Sequence, residues 1–362
     1  MSRIRSTTAL LVGCVWALGL GGTAALAADM AMPVKAPPPP PPPPSWWSGF
    51  IELDGESFLI NPSGQALINS GAATLVAGLN LTLYKDKTGF INNVTVGGLL
   101  ATDWSSSGFQ SGSYWNNVNA AGVSAGNSTN GGLFDTVFAA SVAVTFGQYW
   151  TLSNEFFNVY SNDVAATAPT IHTGQCAMTL CSGFPGFAFD QVKLSLNDSF
   201  TGWPITFNPY VVFYYEFNSL GSVGGGQVSA ACFSCQVNNY EFFIGMVPTV
   251  DLSKYWGIPV TVKAPTYVTV GPASFWNGNP DGIGLASSGE VGVFTTGLTF
   301  TMPLSWMPAQ YGHWYAKAGF QWYDIINTSL QASNAVSLGT SCTSSSCLSS
   351  IFVGFGGVGV AF

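Results

Sequence analysis

Three carboxylates stand at alternate positions in residues 50–59, FIELDGESFL: Glu52, Asp54 and Glu56. Residues i, i+2 and i+4 of a strand share a face, so these acids point one way at about 7 Å spacing. Like charges at that distance repel, and they are tolerated only where water or cations reach them. The chemistry on offer is attraction of cations and rejection of anions. Other reactive side chains are few. Apart from Cys14, the cysteines fall in pairs, Cys176 with Cys181, Cys232 with Cys235 and Cys342 with Cys347, each inside a long polar stretch. In an exported chain an even count reads as disulfides, expected between near neighbours, although fifteen pairings are formally open. With His172 and His313 as the only histidines and no repeated C-x-x-C pair, neither a zinc site nor any other metal or cofactor is expected. Nucleophilic catalysis needs a histidine with a nearby serine and an orienting polar partner. Neither TIHT at 170–173 nor YGHW at 311–314 supplies that arrangement, so no catalytic residue and no enzyme activity are assigned.

Strands must position the acids. Only 7% of the 362 residues are charged, against about 25% in an ordinary soluble domain, while 47% are hydrophobic. Forty-three glycines, 26 Phe, 13 Tyr and 12 Trp complete a composition suited to a membrane-facing or very large buried surface. Beyond the amino terminus the apolar stretches are broken at every second place by Asn, Thr, Ser or Gly, which is the period of a strand. About twelve such segments are predicted: 48–60, 74–85, 89–103, 133–146, 149–161, 187–198, 204–217, 239–252, 259–271, 290–303, 313–326 and 350–362. The intervening connections alternate between short (86–88, 147–148, 199–203, 253–258, 304–312) and long (61–73, 104–132, 162–186, 218–238, 272–289, 327–349). An all-β fold follows: a transmembrane antiparallel β-barrel of about 12 strands, with short periplasmic turns and long extracellular loops. Trp46, Trp47, Trp150, Trp203, Trp256, Trp306 and Trp314 gather at the short-turn end and Trp104, Trp276 and Trp322 at the other, as two interfacial girdles would. The competing fold is a soluble β-sandwich with a Trp-rich core.

The same alternation sends Asp103, Asp135, Glu155, Glu216, Glu241 and Asp251 inward with the three acids of the first strand, opposed by Lys193, Lys263 and Lys317. These twelve residues are the expected channel lining. Two readings remain open: a net acidic lining that favours cations, or a set of lumen ion pairs that close a narrow barrel. Phe58, Tyr84, Tyr210, Tyr214, Phe243, Tyr267 and Tyr323 are also read as inner-face residues, and loop 104–132 is long enough to fold into the pore.

The ends set the compartment. Arg3 and Arg5 precede an uncharged stretch ending Ala24-Ala25-Leu26-Ala27-Ala28, the layout of a cleaved signal peptide, residues 1–28. An uncleaved anchor and a lipoprotein box at Cys14 are the alternatives. Residues 29–47 form a proline-rich periplasmic segment whose octaproline, 37–44, makes a stiff polyproline spacer of roughly 25 Å. The barrel occupies 48–362. After cleavage seven lysines face seventeen acids and no arginine remains, which argues against a nucleic-acid partner.

The final strand, IFVGFGGVGVAF, ends on Phe362. With the Ala-Ala-Asp-Met processing region and Pro-Val-Lys-Ala-Pro beyond it, the sequence resembles Gram-negative outer-membrane β-barrel proteins of the porin-like kind, in particular those of rhizobial alphaproteobacteria. The resemblance covers the ends and the general pattern. It implies surroundings of outer-membrane lipid and lipopolysaccharide, and recognition of Phe362 by the barrel-assembly machinery. The twelve-stranded outer-membrane phospholipases are similar in strand number, but their His-x-Ser pattern is absent. The expected function is a monomeric or weakly associating channel for passive diffusion of small neutral or cationic solutes. A closed structural or adhesive barrel and an uptake channel for apolar or aromatic compounds are the alternatives.

Overall fold

The computed structural model describes residues 46–64, 66–68, 71–105, 132–161, 186–217, 239–272, 275, 290–328, 330, 331, 334 and 349–362. The expected signal peptide, the octaproline and most of loop 104–132 lie outside the described residues. So do the cysteines expected to form disulfides: Cys176 and Cys181, Cys232 and Cys235, and Cys342 and Cys347.

Period-two sequences become strands because each extended segment gives one face to lipid-like surroundings and one to the interior, while its backbone groups bond to both neighbours. The strands run β1 (Trp47–Glu56), β2 (Leu59–Ile60), β3 (Ala66–Ile68), β4 (Ala72–Lys85), β5 (Ile91–Ser105), β6 (Gly132–Phe146), β7 (Trp150–Ser161), β8 (Gly186–Leu196), β9 (Tyr210–Phe217), β10 (Asn239–Met246), β11 (Thr249–Asp251), β12 (Thr261–Lys263), β13 (Thr266–Val270), β14 (Val291–Pro303), β15 (His313–Ile325) and β16 (Ser350–Ala361). Strands β2 and β3 pair only with each other. The other fourteen form one antiparallel sheet in which β10 and β11 are two pieces of a single stave, interrupted at Val247-Pro248, and β12 and β13 are two pieces of the next, interrupted at Ala264-Pro265. Proline has no N–H for the ladder, so each stave breaks there. Twelve staves result. β1 pairs with β4 on one side and with β16 on the other, from Phe50↔Ala361 to Glu56↔Phe355, so the sheet closes into a barrel.

Antiparallel order puts successive connections at opposite ends. At one end the strands are joined by 86–90, 147–149, 197–209, 252–260 and 304–312; the strand ends that flank 57–71, 106–131, 162–185, 218–238, 271–290 and 326–349 in sequence lie at the other. One short connection is longer than the expected 199–203. Pro204 and Pro209 bring no N–H to a ladder, although Pro209 O still accepts from Leu196 N at 3.0 Å, and Asp198 accepts the backbone N–H groups of Phe207 and Asn208 at 2.8–3.1 Å. The tight turns are tied locally: Asp86 accepts from the N–H and hydroxyl of Thr88, and Asn92 donates its amide to Gly89.

The register sorts the two faces. Leu53, Leu75, Leu79, Leu100, Phe138, Leu152, Leu194, Val211, Ile244, Phe300 and Phe352 are exposed on the outer face. Trp47, Trp150, Trp203, Trp256 and Trp306 are exposed at the short-connection end, with Trp322 exposed near the other.

Inside, the packing is eccentric. Val212, Tyr214, Phe243, Tyr267, Val293, Tyr323, Ile325, Ile351 and Val353, all from β9–β16, form a buried cluster with Phe275 and Leu330 from two long connections. A third connection enters through the turn Asn61-Pro62-Ser63-Gly64, where Gly64 N donates to Asn61 O at 2.9 Å and Gly64 adopts φ +86° against Val293. Three long-range hydrogen bonds fasten it. Tyr267 donates to Pro62 O at 2.8 Å, Asn334 donates to Gly64 O at 2.8 Å, and Ser63 donates to Glu241.

Closure generates the first prediction. Phe362 exchanges backbone hydrogen bonds with Gly49 at 2.8 and 2.9 Å, and its ring meets Trp47 at 5.5 Å. Deleting Phe362 should reduce the fraction of protein that runs as a heat-modifiable species on gels. Wild-type yield from that deletion would show that the last residue is dispensable to closure.

Candidate functional site

The inner face of the seam carries the densest polar chemistry. Lys317 of β15 lies opposite Gly357 of β16, which lies opposite Asp54 of β1. Two residues along, Tyr315, Gly359 and Glu52 repeat the pattern. Because the middle strand offers only glycine at both places, side chains of β15 reach across it to the acids of β1. Lys317 Nζ sits 2.5 Å from Glu52 Oε1 and 2.7 Å from Asp54 Oδ2, and Tyr315 donates to Glu52 Oε2 at 2.6 Å. A β-carbon on Gly357 would overlap Asp54 Oδ1, and one on Gly359 would lie 2.5 Å from the Tyr315 ring. Gly357 and Gly359 of the terminal strand are therefore spatial requirements of this network.

The network continues along the row. Asp54 faces Thr74, and Thr74 faces Asp103 and donates its hydroxyl to it. Asp135 stands opposite Asp103 by register, though its side chain is outside the described residues. Glu56 differs from its neighbours. Among the described residues it makes no hydrogen bond or ion pair, because Lys317 is engaged by Glu52 and Asp54. It borders a cavity of about 260 Å³ lined by Ile60, Pro62, Tyr267, Gln321, Tyr323, Val353 and Phe355.

The remaining candidates are scattered. Glu155 faces Ser141 and Gln191, and the row continues through Tyr214 to Glu241. Glu241 is fully buried under the inward turn and accepts from Ser63, so it serves the packing rather than a water-filled surface. Lys193 lies with its ammonium 4.6 Å from the centroid of the Tyr210 ring, a cation–π contact. Lys263 is exposed near the short-connection end, paired with Thr249 and Thr299 by register. Asp251 caps the turn at that end, accepting from Ser253 N at 3.0 Å and Ser253 Oγ at 2.6 Å. Glu216 holds an inner-face register position opposite Phe189 and Asn239, with its side chain outside the described residues. Of the three lysines expected to oppose the acids of β1, Lys317 alone reaches them. Phe58 packs at the edge of the buried cluster, whereas Tyr84 lies exposed beyond a register shift and bonds Asp86 at 3.3 Å.

Two features escaped the sequence reading. Tyr315 shares its parity with Lys317 and was legible as an inner-face donor. Asp190 falls on the outer face, between inward Phe189 and Gln191, where it accepts from Asn154 at 2.7 Å. The parity of β8 signals that position, since Lys193 is three residues away and faces inward.

No protein-family model and no curated protein matches this chain. Similar solved structures include the beta domain of the Bordetella autotransporter Brka, 11% identical with TM-score 0.39, covering 88% of this chain and 100% of that one. The NanC porin is 10% identical with TM-score 0.38, covering 86% and 98%. A FadL homologue of Pseudomonas aeruginosa is 9% identical with TM-score 0.32, covering 87% and 89%. The closed twelve-stave barrel is established by this chain's own strand pairing.

The ionic network yields two expectations. Removing one partner of a buried ion pair leaves uncompensated charge and costs ~3–5 kcal/mol, and a part-buried pair costs less because water screens the charge left behind. Lys317→Met should therefore destabilise the barrel by less than that amount in urea unfolding from lipid vesicles, and adding Glu52→Gln and Asp54→Asn should recover most of the loss. Gly357→Ala should displace the Asp54 carboxylate and reproduce part of the Lys317→Met deficit. An unaltered unfolding midpoint for Gly357→Ala would contradict the spatial argument.

Proposed function

We propose that this chain is a porin-like channel of a bacterial outer membrane through which small neutral or cationic solutes diffuse passively. The observation that carries the reading is the inner face beside the seam, where acids outnumber bases. Glu56 makes no ion pair among the described residues, and Asp103 is met by a hydroxyl rather than a base. A carboxylate so placed draws on water or mobile cations. The apolar outer face and its aromatic girdle support lipid surroundings, with lipopolysaccharide in the outer leaflet. In this reading the short connections and both termini are periplasmic, the long connections are extracellular, residues 1–28 are removed on export, and Phe362 is read by the barrel-assembly machinery. The long connections would carry local disulfides, Cys176 to Cys181, Cys232 to Cys235 and Cys342 to Cys347, a proposal that rests on their even count in an exported chain.

A second reading, a closed structural barrel, draws support from the eccentric core: Phe275, Leu330 and the turn at Pro62 fill the β9–β16 side of the interior. Current through a planar bilayer separates the two. The channel should give discrete conductance steps and a cation-selective reversal potential in a KCl gradient. That selectivity should weaken near 1 M salt, where the Debye length falls from ~10 Å at 0.1 M to ~3 Å. Because Lys317 neutralises much of Glu52 and Asp54, the double variant Glu56→Gln with Asp103→Asn should carry most of the shift toward zero. A correctly inserted barrel that passes no current would favour the structural reading.

A further inference from the structure

We propose that the cavity beside Glu56 is a binding site for a small organic cation, an ammonium group carried on an apolar or single-ring body. The inference deepens the channel reading and rests on it for the route by which the ligand arrives. Several observations support it. The wall mixes apolar, aromatic and polar groups: Ile60 of β2, Pro62 of the inward turn, Tyr267 of β13, Gln321 and Tyr323 of β15, and Val353 and Phe355 of β16. One carboxylate, Glu56 of β1, enters that wall without a bonded partner among the described residues, and the nearby lysine is held by two other acids at 2.5 and 2.7 Å.

The hydroxyl protons are also committed elsewhere. Tyr267 donates to Pro62 O at 2.8 Å, and Tyr323 donates to Gln321 Oε1 at 3.0 Å. The tyrosine oxygens are therefore left as acceptors beside the Glu56 carboxylate. Beyond the Gln321 amide, nothing in the lining supplies a hydrogen to an anion. Aromatic faces with a carboxylate are the combination that selects ammonium over a neutral or anionic group of the same shape.

Size limits the ligand. A volume of about 260 Å³ is just under the ~300–1,000 Å³ range of small-molecule sites. It corresponds to roughly eight or nine water-sized volumes of ~30 Å³ each. A single ring bearing an aminomethyl group is small enough for that space.

The test uses the full mature chain purified in detergent, with no membrane gradient, so that binding is read apart from conduction. Benzylammonium, benzyl alcohol and benzoate are titrated calorimetrically at pH 7. Benzylammonium is expected to bind at least tenfold more tightly than benzyl alcohol, and benzoate not to bind. Glu56→Gln should bring benzylammonium down to the benzyl alcohol level while the protein stays heat-modifiable, and Phe355→Ala should weaken benzylammonium with the charge in place. Equal affinity of the native protein for the ammonium and the alcohol would overturn the site, as would undiminished binding by Glu56→Gln. The native comparison decides the matter even where a variant fails to fold. A barrel that conducts K⁺ selectively yet binds no benzylammonium refutes the site and keeps the channel. One that binds benzylammonium but passes no current refutes the channel and keeps the site.

Discussion

Everything in this molecule hangs on the pairing of its first described strand with its last. A sheet with a free edge leaves a row of backbone N–H and C=O groups unbonded, which hydrocarbon does not tolerate. β1 and β16 remove that edge through a continuous register from Phe50↔Ala361 to Glu56↔Phe355, extended by the Gly49–Phe362 exchange. The inner side of this seam also holds the charges. The glycines that make β16 look featureless let Lys317 and Tyr315 lean over it and bond to Glu52 and Asp54. Closure and electrostatics thus meet in one place, and a methyl group at Gly357 would disturb both.

The number of staves, their approximate bounds and the parity of each were legible in the sequence, because period-two alternation records directly which face meets apolar surroundings. Glu52, Asp54, Glu56 and Asp103 share the inner face for that reason. What parity cannot convey is partner choice. Lys193, Lys263 and Lys317 all carry inward parity, but the chain's stagger around the barrel brings only Lys317 level with the acids of β1. The interior packing was hidden for a related reason. Its fastenings join Ser63 to Glu241, Pro62 to Tyr267 and Gly64 to Asn334, contacts 178 to 270 residues apart along the chain with no local signature.

Some misreadings trace to proline. The sequence places a strand over 204–217, yet the continuous ladder begins at Tyr210; before it Thr206 makes an isolated bridge to Thr249, and the Asp198 carboxylate holds Phe207 and Asn208. Tyr84 keeps nominal inner parity, but the register shift between Thr82 and Tyr84 sets it opposite Val94, on the outer face. Irregularities of this kind are small in residue count and large in effect, since each resets the direction of the side chains beyond it.

The two broken staves carry one more implication. Pro248 and Pro265 interrupt neighbouring strands at facing positions, and the gap is patched by Ala264 N donating to Pro248 O at 2.8 Å. A ladder missing two amide donors is affordable only where water can reach the carbonyls left over. The exposed rings of Tyr255 and Trp256 follow within a few residues on the same side. In the outer-membrane reading proposed above, such a notch in the ladder suits a wetted head-group layer rather than hydrocarbon, so the two prolines would set the waterline on this flank.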